Sequence, residues 1–243
     1  MLVDDRLIRD SLDELAHIAR WVRDRGSKSG FHLCLIGGWA VHAYNPWYGS
    51  QDIDLLSARA ERKALMQWLR NERGFLPRRD EGEGLLALRK TTPGGSMNVE
   101  FLRADAVFRF EGGRAEYPLR SVFPGIVWRR VEGIELPIPV EEKLFILKAK
   151  AAWDRNWRLD NGRSDNAAYE RGKLAKDMGD LLALLDPTRG PQLDFSALGK
   201  EMEKYRFLLK MLQREELTMA GANRYGMSND AAREWLSRLA TLL

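Results

Sequence analysis

Two aspartates separated by one residue, Asp52 and Asp54 in Gly49-Ser-Gln-Asp-Ile-Asp-Leu-Leu56, are the side chains of this 243-residue chain best suited to chemistry. From Asp52 to Leu56 acidic and apolar residues alternate, as in a half-buried strand. On such a strand both carboxylates leave one face, about 7 Å apart along the chain. Oxygen ligands grouped this way suit Mg²⁺, and two such ions can activate an attacking hydroxyl and stabilise a leaving pyrophosphate. Upstream, Gly37-Gly38 ends an apolar strand over Phe31 to Ile36 and precedes a helix from Trp39 to about Tyr44. Glycines there let backbone N–H groups approach a phosphate closely. A lone D-x-D is usually a solvated strand face and a lone Gly-Gly a turn, but the order strand, Gly-Gly, helix, D-x-D is far more specific.

A second set of charges stands out by its setting. On a helical projection Lys148 and Arg155 share the sector of Leu144 and Ala152, inside an otherwise apolar stripe. In a later helix Asp177 falls between Leu181 and Leu184, with Asp180 one turn further along the same side. Charges there either snorkel to solvent or face a polyphosphate cleft.

The elements that must position these residues follow from periodicity and turn chemistry. An amphipathic first helix ends at the Ser27-Lys28-Ser29-Gly30 break. After the D-x-D strand come a Lys/Arg-rich helix over Ala60 to Arg73 and strands over Phe75 to Arg79, Gly84 to Thr91 and Met97 to Leu102. Two further strands are expected over Ala115 to Val122 and Gly125 to Leu136. From Val140 the pattern is helical, over Val140 to Asp154, Ala167 to Leu185, about Phe195 to Gln213 and Asp230 to Leu242. The expected fold class is therefore α+β: a mixed β-sheet flanked by helices over 1–138, then a helical domain over 139–243.

Composition narrows the function classes. The 44% apolar and 30% charged fractions are those of a soluble globular protein, and no apolar run approaches membrane-spanning length. The N-terminal segment is amphipathic and contains acids, unlike a secretory or transit signal, so a cytoplasmic location and no membrane partner are expected. One cysteine, Cys34, excludes an internal disulfide, and with three histidines it speaks against a structural zinc site. A formal charge of +4 and a pI near 9.2 permit a nucleic-acid or polyphosphate partner without requiring one.

Gly37-Gly38 after a buried strand, a short helix, then Asp52-Ile-Asp54 resembles the signature of the DNA polymerase β-like nucleotidyltransferases, in which hG[GS] precedes the Asp pair. The resemblance implies a nucleotidyltransferase domain over 1–138, Asp52 and Asp54 as ligands of Mg²⁺ or Mn²⁺, an NTP substrate, and a third carboxylate on a later strand. In Met97-Asn-Val-Glu-Phe-Leu102, Asn98 and Glu100 share one strand face, so Glu100 is the candidate third acid and metal ligand, with Asp105 as fallback. Family members more often carry Asp there.

Further on, Leu144-Phe-Ile-Leu-Lys-Ala-Lys-Ala-Ala-Trp-Asp-Arg155 and Lys176-Asp-Met-Gly-Asp-Leu181 look like later motifs of the AbiE-type toxin nucleotidyltransferases, which include the MenT-like toxins. By that resemblance Lys148 contacts the triphosphate, Asp177 is a site acid, and Asp180 and Arg155 support them. Gly37, Gly38 and Ser50 also contact the triphosphate, and the helical domain completes the active-site cleft. One departure is Tyr48 and Ser50 where the family often has R-x-T: Ser50 keeps the hydroxyl, but Tyr48 lacks a permanent cation. Arg59, Arg62 and Lys63 read as a solvated helix face. Trp47, in a loop near Asp52, is a candidate for stacking on a base, though such aromatics usually just pack.

The resemblance thus implies transfer of NMP from an NTP to an acceptor hydroxyl on tRNA, another RNA or a protein, as a toxin with a cognate antitoxin partner. Two alternatives stand beside it. Gly-Gly-Trp-Ala followed by D-I-D also resembles the aminoglycoside and lincosamide resistance enzymes, which act on small molecules. A non-catalytic nucleotide- or RNA-binding module of the same fold is the other.

Overall fold

The computed structural model describes residues 5–26, 32–78, 85–113, 115–191 and 193–241. The expected break at Ser27–Gly30, and Phe31, Arg79, Gly84 and Leu242 at the ends of expected elements, lie outside the described residues. The chain forms two compact units: residues 1–43, 48–107 and 118–139, and residues 44–47, 108–117 and 140–243. The fold is α+β, with a mixed five-stranded sheet and a helical C-terminal region.

The elements of the first unit run α1 (Asp5–Gly26), β1 (Leu33–Ile36), α2 (Gly37–Tyr44), β2 (Ile53–Ser57), α3 (Arg59–Arg73), β3 (Leu76–Arg78), β4 (Leu85–Thr92) and β5 (Gly95–Arg103). After β6 (Val107–Arg109) and β7 (Glu116–Pro118), which lie mostly in the second unit, the first unit resumes with a 3₁₀ turn over Leu119–Gly125, β8 (Ile126–Val131) and β9 (Ile134–Pro139). The large sheet has the order β1-β2-β5-β4-β3; β2 and β5 are parallel, and the other neighbours antiparallel. Helix α1 buries Leu7, Ser11, Leu15, Ile18 and Val22, a stripe at three- and four-residue spacing, and contacts β9 and β5. The Trp39 indole on α2 donates to Ser11 Oγ at 2.9 Å, which ties the second helix to the first.

Several boundaries differ from expectation for local reasons. Gly37-Gly38 is not a separate turn but the first turn of α2, which starts directly after β1. Strand β2 begins at Ile53, so Asp52 sits one residue ahead of it. The single strand expected over Gly125 to Leu136 is a hairpin, because Glu132 (φ 48°) and Gly133 (φ 82°) supply the two positive φ angles of a tight two-residue turn. The strand expected over Ala115 to Val122 is three residues of β7 followed by the 3₁₀ turn.

In the second unit α4 (Glu141–Asp160), α5 (Ala167–Leu185), α6 (Phe195–Met202), α7 (Phe207–Leu212), α8 (Glu215–Tyr225) and α9 (Asn229–Thr241) follow in order. The single helix expected over Phe195 to Gln213 is split by a 3₁₀ turn at Glu203–Tyr205, and α8 is an addition that the periodicity did not reveal. Helices α5 and α8 cross closely because glycines face each other there: a Cβ on Gly221 would lie 2.6 Å from Met178 Cβ and 3.2 Å from the Gly179 nitrogen. The 108–117 arm buries Phe110 against Tyr205 and Phe207, and Phe207 in turn meets Trp153 edge-on with centroids 4.8 Å apart.

Candidate functional site

In the first unit the acidic residues are placed by one row of the sheet. Register runs from Ile36 through Asp54, Glu100 and Ala87 to Arg78, one residue on each of the five strands. In-register neighbours project to the same side, so Asp54 and Glu100 stand next to each other on adjacent parallel strands. Strand β5 alternates as its sequence implies, with Met97, Val99 and Phe101 fully buried and Asn98 and Glu100 half-buried on the other face. Arg78 approaches Glu100 Oε1 at 3.4 Å from two strands away; the residue between them in the row is Ala87, small enough for the side chain to pass over.

Asp54 is fixed from the other side by Gly37. A Cβ built on Gly37 would lie 1.9 Å from Asp54 Oδ2 and 2.6 Å from its Cγ, so the carboxylate occupies the space that any side chain at position 37 would need. Gly37 also has φ 72°, a left-handed conformation that glycine adopts without cost. Gly37, which the sequence offered as a phosphate contact, seats the Asp54 carboxylate at the start of α2. Asp52 is held differently: its Oδ1 accepts from the Asn98 backbone N–H and from the Asn98 side-chain amide, both at 3.0 Å. Its Oδ2 has no hydrogen-bond donor among the described residues.

Ser50 is buried just ahead of Asp52, and Gly38 follows Gly37 within α2. The intervening loop is clamped at Tyr48, whose carbonyl accepts from His42 Nδ1 at 3.2 Å, while His42 Nε2 meets Glu132 Oε1 at 2.8 Å. Asp105, the fallback acid, lies outside the row; Arg103 binds it at 3.0 Å and holds its carboxyl below the usual range. Arg62 is buried, with Nη1 donating to the Ser57 carbonyl at 3.4 Å, rather than part of a solvated face.

The donor set Asp52, Asp54 and Glu100 is all oxygen, which fits a hard divalent ion and no thiophilic one. Among the described residues no three Asp, Glu, His or Cys side chains are gathered around one point, since Asp52 turns to Asn98 and Glu100 to Arg78.

The second unit holds the other predicted residues as a buried cluster between α4 and α5. Lys148 Nζ lies 2.6 Å from Asp180 Oδ2 and 3.6 Å from Asp177 Oδ1. Arg155 Nη1 lies 3.3 Å from Asp177 Oδ2, and Lys176 Nζ 3.0 Å from Asp180 Oδ2. Burial alone would raise Asp180, but the Lys148 and Lys176 ammonium groups outweigh it and hold the carboxyl below the ordinary carboxylate range. Among the described residues Lys148, Arg155 and Lys176 pair with Asp177 and Asp180. The charges seen in the apolar stripes thus meet one another rather than snorkelling to solvent.

Residues that the sequence did not single out include Asn98 and Arg78, which hold the acids, and the His42–Glu132 clamp. Asn98 was within reach, since alternation puts it on the face of Glu100. Arg78 and Glu132 were not, because their roles depend on strand register and on the hairpin turn. Trp47 packs: its ring meets Tyr225 edge-on with centroids 5.3 Å apart, and a Cβ on Gly179 would come within 3.1 Å of it. Beside it Asn45 Nδ2 donates to the Ala183 carbonyl at 2.9 Å and to Tyr225 Oη at 2.7 Å, and Tyr225 donates to Asp186 Oδ2 at 2.7 Å. Burial and the Asp186 carboxylate push the Tyr225 hydroxyl up to about 12.

No protein-family model matches the chain, and no curated protein matches it. Among solved structures, an antigenic nucleotidyltransferase-like protein from Paracoccidioides brasiliensis is 16% identical with a TM-score of 0.45, over 90% of this chain and 93% of that one. The antibiotic-resistance factor ANT(2″)-Ia is 15% identical with a TM-score of 0.36, over 98% of this chain and 96% of that one. At such distances neither carries a function across to this chain. Among the described residues no helix is long and apolar enough to cross a membrane.

Proposed function

We propose that the first unit is the catalytic part of a metal-dependent nucleotidyltransferase that moves NMP from an NTP to an acceptor hydroxyl, with RNA as the acceptor class. The observation that carries this reading is the seating of Asp54 over Gly37, with Glu100 beside it in register and Asp52 two residues earlier. It places the Asp54 carboxylate beside the first turn of α2, the end of a helix that favours phosphate.

Asp52 and Asp54, with Glu100, would hold Mg²⁺ or Mn²⁺, which when bound supplies charge neutralisation on the triphosphate and a more acidic acceptor hydroxyl. The acceptor oxygen attacks the α-phosphorus in line, the bond between the α-phosphorus and the bridging oxygen breaks, and pyrophosphate leaves with that electron pair. Glu100 takes the hydroxyl proton; turning toward the acceptor requires it to leave Arg78, an ion pair on a partly exposed surface and therefore weak. Asn98 keeps Asp52 oriented while Oδ2 remains open to an ion. Gly37, Gly38 and Ser50 bind the triphosphate. The buried position of Lys148 is compatible with its main work being to join α4 to α5.

The test is incubation of the purified protein with each labelled NTP, Mg²⁺ and total tRNA, beside Asp52→Ala and Asp54→Ala. Label on RNA with the intact chain and none with either variant is expected. NTP binding without transfer to RNA would move the acceptor to a small molecule or a protein, and no NTP binding at all would overturn the reading.

A further inference from the structure

A second feature of the first unit lies away from the aspartates. A cavity of about 390 Å³ opens at the start of β1, walled by His32, Arg120, Phe123, Pro124, Trp128 and Pro137. Strand β1 separates it from Gly37, since the four steps from Leu33 to Gly37 span about 13 Å. It is of the size that ligand pockets usually have.

Its walls combine a flat aromatic surface with spare positive charge. Side chains two apart on β8 share a face, so Ile126, Trp128 and Arg130 project together, opposite Pro139, Pro137 and Glu135 of β9 in register. Trp128 keeps 47% of its surface exposed and makes no ring pair among the described residues. The open indole beside the cavity offers a flat ring on which a planar ligand can stack. The opposite wall is stiffened by His32, which meets Phe123 edge-on at 5.0 Å. Arg120, in the cavity wall, and Arg130, beyond the wall on the Trp128 face of β8, make no ion pair or hydrogen bond among the described residues, and Glu135 is the carboxylate in register with Arg130. Two uncommitted guanidinium groups against one carboxylate favour an anion, and guanidinium matches phosphate in bidentate geometry. A ligand that offers both an aromatic face and a phosphate is a nucleotide.

We propose that this cavity is a nucleotide subsite in which a base stacks on Trp128 and Arg120 and Arg130 hold the adjoining phosphates, the nucleotide being part of a single-stranded nucleic acid. The subsite does not require the catalytic reading. Binding is measured by fluorescence anisotropy of a short labelled oligoadenylate RNA, without metal or NTP, and by competition with AMP. Trp128→Ala is expected to weaken binding about tenfold or more and Trp128→Tyr to retain most of it, since stacking on an aromatic ring tolerates that exchange. Arg120→Ala should lower the slope of log affinity against log salt by about 0.7, the loss of one phosphate contact on a single strand. Asp54→Ala should bind as the parent does, which separates failure here from failure of the catalytic reading. Displacement by AMP at low concentration would make a free nucleotide the ligand, whereas resistance to AMP supports the nucleic-acid strand. Unchanged binding by both Trp128→Ala and Arg120→Ala, or no binding of either probe by the parent chain, overturns the proposal. Thermal melts of each variant accompany the titrations, and should Trp128→Ala fail to fold, Trp128→Tyr and Arg120→Ala decide the matter.

Discussion

Gly37→Ala probes the contact on which the candidate active site is built. The added methyl carbon would sit 1.9 Å from Asp54 Oδ2, 2.6 Å from Cγ and 2.7 Å from Cβ, so rotating the carboxylate alone cannot clear it. The left-handed backbone at φ 72° adds about 1–2 kcal/mol for a residue with a Cβ. Overpacking a tight site adds about 1–3 kcal/mol, so the total destabilisation is about 2–5 kcal/mol. Urea unfolding of the parent, Gly37→Ala, Asp54→Ala and the double variant forms a cycle. Asp54→Ala removes the two closest contacts, so the double variant should be less destabilised than the sum of the singles by about 1–2 kcal/mol, within the range seen for residues in contact. Nucleotide transfer should fall with Gly37→Ala even under conditions where the variant is fully folded, because Asp54 is displaced. If Gly37→Ala is within about 0.5 kcal/mol of the parent and strictly additive with Asp54→Ala, the carboxylate does not occupy the space over Gly37 and the reasoning fails.

Removing the central cation of the buried cluster with Lys148→Met should cost about 3–5 kcal/mol in urea unfolding, since Asp177 and Asp180 stay buried with less compensation. Nucleotide titration of the folded fraction would show whether Lys148 also serves the triphosphate. Because Asp180 is held below the unfolded carboxylate value, its contribution is present above pH about 4 and is lost as pH falls through the depressed native value. Acid unfolding should therefore begin at higher pH in Lys148→Met. Tyr225, raised to about 12, contributes stability that is full below about pH 10 and declines as pH rises toward 12. A phenolate absorbance titration should show a late-titrating component that shrinks by one tyrosine in Tyr225→Phe. Gly221→Ala should destabilise by about 1–3 kcal/mol by forcing α8 off α5, and an unchanged urea midpoint would show that the helices do not meet there.

Much of the site region could be read from the sequence because its signals are local. Alternation put Asn98 and Glu100 on one face of β5, and the structure keeps them there. The order strand, glycines, helix, strand around Gly37 and Asp54 is also as read, although the glycines are helix rather than turn. Less legible features depend on long-range register or on a residue acting against its type. No local pattern says that Arg78 and Glu100 share a row, since that needs β4 between them with its small Ala87. Glu132 hid the β8–β9 hairpin because a glutamate at positive φ is not a turn signal, and only Gly133 beside it hinted at one. Helix α8 escaped notice because its close crossing uses Gly221, a residue that lowers helix propensity on paper. The stripe charges Lys148, Asp177 and Asp180 were noticed as anomalies, but their mutual pairing required the packing of α4 on α5.

The assignment of residues 44–47 to the second unit, while their neighbours on both sides belong to the first, constrains the order of events during synthesis. Asn45 hydrogen-bonds to Ala183 and Tyr225, 138 and 180 residues later in the chain. A ribosome adding about 5–20 residues each second therefore exposes the Asn45–Trp47 segment for many seconds before its partners exist. The N-terminal sheet can complete most of its pairing in that interval, but the loop between α2 and β2 closes only once α8 has emerged. A nascent chain stalled before Tyr225 should thus hold a formed sheet with a protease-sensitive segment near Trp47, and release of the final helices should remove that sensitivity.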